Sequence, residues 1–114
     1  MNYPQFLIFQ SDQGHYFFRL YNHRGKVLVT GFPCQYRINC VTAIRELFKQ
    51  AQKDHHYRMH TTFPNFYFQV TDSMHTVIAT SNTYHTMAGM AYGINSVKQA
   101  VAASVIEDHQ PVPV

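Results

Sequence analysis

The feature that most constrains the fold of this chain is an internal repeat with a period of 50 residues. After a shift by that distance, the segment that begins at Tyr16, YFFRLYNHRGKVLVTG, falls on the segment that begins at Phe66, FYFQVTDSMHTVIATS. The apolar positions coincide although few residues are identical. Self-similarity at a fixed spacing indicates one supersecondary unit that occurs twice. We therefore predict repeat 1 at about 5–53 and repeat 2 at about 56–103.

Each repeat has the pattern of three strands followed by one helix. Short runs rich in aromatic and β-branched residues alternate with turn residues, such as Asn22-His23-Arg24-Gly25 in repeat 1 and Asp72-Ser73-Met74-His75 in repeat 2. A stripe of apolar residues at helical spacing closes each repeat. We predict an α+β fold in which two tandem βββα repeats form one antiparallel sheet, with both helices packed on one face and a pseudo-twofold axis between the repeats. The tail, about 106–114, has no period and is predicted to be mobile.

Repeat 2 carries the most specific motifs: FYFQV, VIATS, then Tyr84, and GINSVK from Gly93 to Lys98. On these motifs the chain resembles the YegP-like family of small bacterial proteins, which have one or two copies of a βββα unit. The resemblance spans about Phe6 to Ala102. It implies the fold predicted above, and it implies that one-repeat members pair as dimers, so that this two-repeat chain is expected to be a monomer. It implies no biochemical activity.

Composition argues against the familiar kinds of enzyme. The chain has only six acidic residues, none of them placed as an acid–base pair, and it has no glycine-rich phosphate loop. Cys34 and Cys40 are six apart near a predicted helix start, where they are poorly placed to bridge. His56 and His60 fall on a linker and a strand rather than on one helix face. We therefore predict no catalytic residue, no metal and no cofactor.

The same features suggest a cellular setting. The start of the chain lacks a secretory apolar core, and no apolar run approaches the length of a membrane span. With unpaired cysteines, this favours a reduced cytoplasmic location without membrane contact. The net charge of +3 permits contact with anionic partners without requiring it.

The aromatic strands give the sharper functional signal, because side chains along a strand alternate between the two faces of a sheet. If Phe18 and Phe68 face the helices, five residues are predicted to face away from them: Phe17, Arg19, Tyr21, Tyr67 and Gln69. Rings with polar or basic neighbours on an open sheet can stack on the bases of single-stranded nucleic acid. Alternatively, such rings pair across strands and only stabilise the sheet.

Two functions therefore stay open. The first is a non-enzymatic binding or interaction module of unidentified ligand, with a protein among its candidate partners. The second is a module that binds single-stranded nucleic acid through the five residues named above.

Overall fold

The computed structural model of the protein describes residues 5–108. The predicted order of three strands and a helix, given twice, is confirmed, with a short 3-10 helix at Asp54–His56 between the repeats. The other elements in chain order are β1 Gln5–Gln10, β2 Tyr16–Tyr21, β3 Val27–Gly31, α1 Arg37–Gln50, β4 Tyr57–Thr62, β5 Asn65–Thr71, β6 Val77–Ser81, α2 Met87–Ala103 and β7 Val105–Asp108.

The strands form one sheet in the order β4-β5-β6-β3-β2-β1-β7. The two repeats join where β3 pairs antiparallel with β6, with Thr30 opposite Thr80 and Val29 opposite Ser81. Thr30 and Thr80 are also equivalent in the sequence repeat. This order and register are the ones that a twofold axis between β3 and β6 would produce. Superposition of the two repeats about that axis stays a prediction.

One core lies between the sheet and the two helices. From the sheet, alternate residues such as Phe18 in β2 and Phe68 in β5 are fully buried in it. From the helices, α1 contributes Ile44 and Leu47, and α2 contributes Val97. Burial of each such side chain contributes about 1.5–3 kcal/mol before entropy is counted. Since these residues all point to one side, the opposite side of the six strands β1–β6 is free of helices within residues 5–108, and we call it the open face.

The turns between the second and third strands have the same shape in both repeats. Gly25 lies at φ 80°, a conformation in which glycine is favoured. His75, at the equivalent position of repeat 2, adopts φ 63° although it carries a side chain. The backbone path is therefore kept where the residue type changes.

Thr86 and Gly93 determine how helix α2 starts and packs. Thr86 caps it, because its Oγ1 accepts a hydrogen bond of 2.9 Å from the N–H of Gly89. Gly93 lies against Tyr84, and a Cβ at position 93 would overlap the Tyr84 hydroxyl and ring. The glycine is therefore required for the close approach of α2 to Tyr84.

The sheet has one further strand that the sequence pattern did not indicate. The tail was predicted to be mobile from 106, but Val105–Asp108 forms β7, which pairs with β1; residues 109–114 lie outside the described residues. This pairing is parallel, so the sheet is antiparallel only from β4 to β1. The physical reason is that β1 would otherwise present unpaired N–H and C=O groups at the sheet edge, and a strand following α2 can satisfy them.

Within residues 5–108, neither helix combines the length and the apolar character that crossing a lipid bilayer requires.

Candidate binding face of the sheet

Strand alternation places the predicted site residues on the open face. In β2, Phe17 and Arg19 are half-buried and alternate with the fully buried Phe18 and Leu20. In β5, half-buried Tyr67 and Gln69 alternate in the same way with core residues. The residues in equivalent positions of the two repeats are therefore both accessible and both turned away from the helices.

The first group of side chains is built across β1 and β2. Phe9 is the register partner of Phe17, and their rings stack with centroids 5.4 Å apart and planes 24° from parallel. The Arg19 guanidinium carbon lies 5.2 Å from the centroid of Phe17 and 5.5 Å from that of Phe9. Both distances are in the range of cation–π attraction. The arginine is thus held over two rings while its charge remains accessible.

The second group is built at the equivalent place across β4 and β5. His60 is the register partner of Tyr67, and their rings stack at 4.3 Å with planes 7° apart. The Nε2 of His60 is 2.8 Å from the Oε1 of Gln69, and the Nε2 of Gln69 donates to the Oγ1 of Thr80 at 3.4 Å. The amide of Gln69 and the hydroxyl of Thr80 therefore contact the ring pair here, whereas in repeat 1 the guanidinium of Arg19 lies over the rings.

A polar row connects the two groups across the middle of the sheet. Arg19 is opposite Thr30, Thr30 is opposite Thr80, and Thr80 is opposite Gln69. Because β2 and β5 run in opposite directions, Phe17 and its counterpart lie on opposite sides of this row. Three strand spacings and four residue steps separate the two rings by about 20 Å. A ligand that contacts both rings must therefore be extended.

Two positively charged side chains lie on the open face. The six strands from β1 to β6 contain no aspartate or glutamate, whereas Arg19 in β2 and Arg58 in β4 both lie on this face. Arg58 is exposed and donates to the backbone oxygen of His75 at 2.8 Å. An anionic partner would meet two guanidinium groups on this surface and no carboxylate from these strands.

The face is not equally accessible along its length. Gln5 and Leu7 are register partners of Tyr21 and Arg19, yet they are only 2% and 5% exposed. Tyr21 is half-buried and lies beyond a register shift between β2 and β3. The accessible region is therefore centred on the two ring pairs and the polar row between them.

Sequence reasoning missed three residues of this surface: Phe9, His60 and Arg58. They lie on the first strand of each repeat, at positions that pair with Phe17, Tyr67 and Gln69. The alternation of β1 and β4 was the signal that could have found them. The prediction considered outward positions only on the most aromatic strand of each repeat.

Burial raises the pKa of two reactive side chains, Cys40 and Tyr57. Cys34 and Cys40 are free thiols, and burial, followed by the neighbouring Cys34, raises the pKa of Cys40 to about 12. Burial also raises the pKa of Tyr57, whose hydroxyl donates to the Ala51 carbonyl at 2.7 Å. Neither residue is therefore primed as a nucleophile or a base. Residues 5–108 contain no group of three potential metal ligands.

Fold and surface together define a small α+β module with a sheet face that carries aromatic rings and two arginines. Residues 64–108 match a family model described as a domain of unknown function, DUF1508. The chain is 29% identical over 104 residues to the "UPF0339 protein in ptx operon 5′region" of Stutzerimonas stutzeri, covering 90% of this chain and 94% of that protein.

Solved structures give the same result for the fold. The solution NMR structure of yegP from E. coli, a protein of unknown function, matches with a TM-score of 0.86 at 21% identity, covering 96% of this chain and 95% of that chain. A UPF0339 protein of Shewanella oneidensis matches with a TM-score of 0.85 at 21% identity, over 91% of this chain and 89% of that chain. The YegP-like resemblance predicted from the sequence is confirmed. The matching family model and the yegP structure are both described as of unknown function.

Proposed function

We propose that the protein is a non-enzymatic binding module whose ligand contacts the open face of the sheet. The observation that carries this proposal is the pair of half-buried ring stacks, Phe9 with Phe17 and His60 with Tyr67, at equivalent places in the two repeats. A cross-strand role for the rings accounts for their stacking on each other. It gives no reason for two guanidinium groups and no carboxylate from β1–β6 on the same surface.

The ligand class that best fits this surface is single-stranded nucleic acid. Bases can stack on aromatic rings, and Arg19 and Arg58 would contact phosphates. The separation of about 20 Å between Phe17 and Tyr67 suits an extended strand, since single-strand binders typically cover about 4–16 nucleotides per domain. A dinucleotide is too short to contact both ring pairs.

The test is a fluorescence titration of the full chain with mixed-sequence single-stranded DNA and RNA dodecamers at low and moderate salt. We expect binding that weakens with salt, and a loss of about 1–3 kcal/mol for each ring removed by Phe17→Ala or Tyr67→Ala. Tyr36→Ala is the matched control, because it removes an exposed ring at the start of α1 and should leave binding unchanged.

Three outcomes would contradict the proposal. If the protein does not bind at low salt, single-stranded nucleic acid is not its ligand. If a dinucleotide, added as a further probe, binds as tightly as the dodecamer, the ligand does not contact both ring pairs. If the folded Phe17→Ala, Tyr67→Ala double variant binds with unchanged affinity, the two rings do not contribute to binding.

The proposal includes a monomer in the cytoplasm. The two free thiols support the location, because unpaired cysteines persist in reducing compartments. Thiol titration of the denatured, non-reduced protein isolated from cells should find both Cys34 and Cys40. Sedimentation should give the mass of one chain, since β3 and β6 already join two repeats within it.

A further inference from the structure

A groove on the helix side of the molecule lies between the β2–β3 turn and helix α2. Its volume is about 510 Å³, within the range of small-molecule sites. The turn lines one wall with His23, Arg24 and Lys26, and α2 lines the other with Tyr92, Ser96 and Gln99. The turn of repeat 1 therefore faces the helix of repeat 2.

The equivalent turn of repeat 2 shows what such a turn binds. It faces helix α1, and the N–H of Ser73 donates to the Oε1 of Glu46 at 3.0 Å. Lys49 Nζ lies 3.6 Å from the Oε2 of the same carboxylate. The hydrogen bond from Ser73, above all, lowers the pKa of Glu46, so the carboxylate is bound in its charged form. The turn of repeat 2 therefore already binds an anion, which helix α1 of repeat 1 supplies.

At the turn of repeat 1, the facing helix offers no carboxylate at the corresponding position. Serine occupies position 96, which is equivalent to position 46 in the 50-residue repeat. The Oγ of Ser96 donates to the carbonyl of Tyr92 at 3.0 Å, one turn earlier in its own helix. Within residues 5–108, the N–H of His23, the equivalent of Ser73, has no hydrogen-bond acceptor. A turn of the same type is thus left open to the groove.

The two turns have the same pattern of hydrogen bonds, so their differences can be compared residue by residue. Asn22 Oδ1 accepts from the N–H groups of Arg24 and Lys26, each at 2.9 Å. Asp72 Oδ1 accepts from the two equivalent N–H groups of repeat 2 at 2.9 and 3.0 Å. The N–H of the residue that follows the Asn or Asp, His23 in repeat 1 and Ser73 in repeat 2, therefore has the same orientation in both turns.

The charges at the two turns differ in the direction that favours an external anion in repeat 1. Arg24 and Lys26 replace Met74 and Thr76, and neither forms an ion pair with a residue of the described chain. Neutral Asn22 replaces the Asp72 carboxylate. An anion at the repeat 1 turn would be attracted by two cations, and it would not be repelled by a carboxylate such as that of Asp72.

We propose that the groove between the β2–β3 turn and α2 binds a small organic anion, whose carboxylate or phosphate group takes the place that the Glu46 carboxylate occupies at the other turn. The N–H of His23 donates to the anion, and the side chains of Arg24 and Lys26 neutralise it. Tyr92, which is 75% exposed on the α2 wall, offers a ring to the body of the ligand.

The test follows the backbone amide of His23 by ¹⁵N–¹H NMR while inorganic phosphate, and in a separate arm acetate, is added to millimolar concentration. We expect a saturable shift, with the tighter-binding arm identifying the phosphate or carboxylate chemistry of the ligand. Arg24→Ala should weaken binding about tenfold, which corresponds to the loss of one charge-assisted hydrogen bond.

The decisive variant is Ser96→Glu, which gives the turn of repeat 1 a carboxylate equivalent to the one that Glu46 provides at the turn of repeat 2. It should abolish the phosphate response of His23 and leave the protein folded, since the same residue is accommodated at position 46. A saturable His23 shift of wild-type size in Ser96→Glu, or the absence of any shift in the wild type in both arms, overturns the proposal. Because Ser96 lies away from the open face, nucleic-acid binding by Ser96→Glu reports separately on the proposed function.

Discussion

At the turn between the second and third strands, repeat 2 binds a carboxylate from the facing helix and repeat 1 binds none. Glu46 closes one turn, and Ser96 leaves the other open. The repeats also differ in the residue that precedes each helix and in the helix residue equivalent to Gly93. Tyr84 packs against Gly93 in repeat 2, and the equivalent residues of repeat 1 are Cys34 and Ala43. The backbone bridges are retained in both cases, since Tyr16 pairs with Cys34 as Phe66 pairs with Tyr84.

This comparison shows that each turn is completed by the helix of the other repeat. The turn of repeat 2 is closed by Glu46 from the helix of repeat 1, whereas the turn of repeat 1 faces Ser96 in the helix of repeat 2. Arg24 and Lys26 add positive charge at the second of these places. We infer that the turn of repeat 2 is a closed site and that the turn of repeat 1 forms one wall of a groove for a ligand.

The largest effect is expected from Gly93→Ala. A Cβ at this position overlaps the Tyr84 hydroxyl, and the Tyr84 ring is stacked on Phe68 with centroids 6.3 Å apart. We expect a loss of about 1–3 kcal/mol in the free energy of unfolding, as for other overpacked sites. Denaturant titration measures it.

Gly89→Ala is the matched control, because position 89 lies in the same helix with its nearest contacts at 3.2 Å or more. A Cβ at position 89 would lie 3.2 Å from the Oγ1 of Thr86, which must shift only slightly, so the free energy of unfolding should change less than in Gly93→Ala. The double variant Tyr84→Cys, Gly93→Ala recreates the pair found in repeat 1 and should lose less than the sum of its single changes. If Gly93→Ala were more stable than the wild type, the close contact between Tyr84 and position 93 would not require glycine, and this difference in packing between the repeats would be contradicted.

The second-largest effect is expected in the pH dependence of the free energy of unfolding, and it arises from His56 in repeat 2. His56 is only 5% exposed, its Nδ1 is 3.0 Å from Thr71 Oγ1, and its ring stacks on His75 at 5.0 Å. Burial, followed by the neighbouring His55 and His75, lowers the pKa of His56. The neutral ring is therefore favoured in the folded state.

The sign follows from proton linkage. Stability is at its full value above the unfolded-state pKa of about 6.5, and it falls as the pH drops from there toward the lower folded-state pKa. His56→Gln should flatten this part of the curve of unfolding free energy against pH. Equal slopes in the wild type and the variant would show that His56 is not the residue that titrates.

The smallest effect is expected at the closed turn. Glu46→Gln removes the charge that Ser73 binds, so it should destabilise the protein at neutral pH. Because the folded-state pKa of Glu46 is lowered, its contribution is present above the unfolded-state pKa and disappears as the pH falls through the folded-state pKa. The difference in unfolding free energy between wild type and Glu46→Gln should therefore be measurable at pH 7 and absent in strong acid. A difference that persists in strong acid would mean that the carboxylate charge is not responsible.

Local pattern was enough to predict the elements and the outward rings. The alternation of β2 and β5 placed Phe17, Arg19, Tyr67 and Gln69 correctly on the face opposite the helices, because period-two alternation depends only on neighbouring residues. The binding role of these residues stays a prediction.

Contacts between distant segments could not be predicted in the same way. The bond from Ser73 to Glu46 requires the turn of one repeat to face the helix of the other, which depends on how β3 and β6 join the repeats. The pairing of β7 with β1 brings together the two ends of the described chain, and no local period records it. The groove beside α2 was missed for the same reason.

The most direct measurement compares two amides in one sample of wild-type protein. In a ¹⁵N–¹H NMR titration with inorganic phosphate, the His23 amide should shift with saturation, while the Ser73 amide, already bonded to Glu46, should stay in place. Equal shifts at both amides, or a shift at Ser73 alone, would contradict the account that repeat 1 is the open counterpart of a closed site in repeat 2.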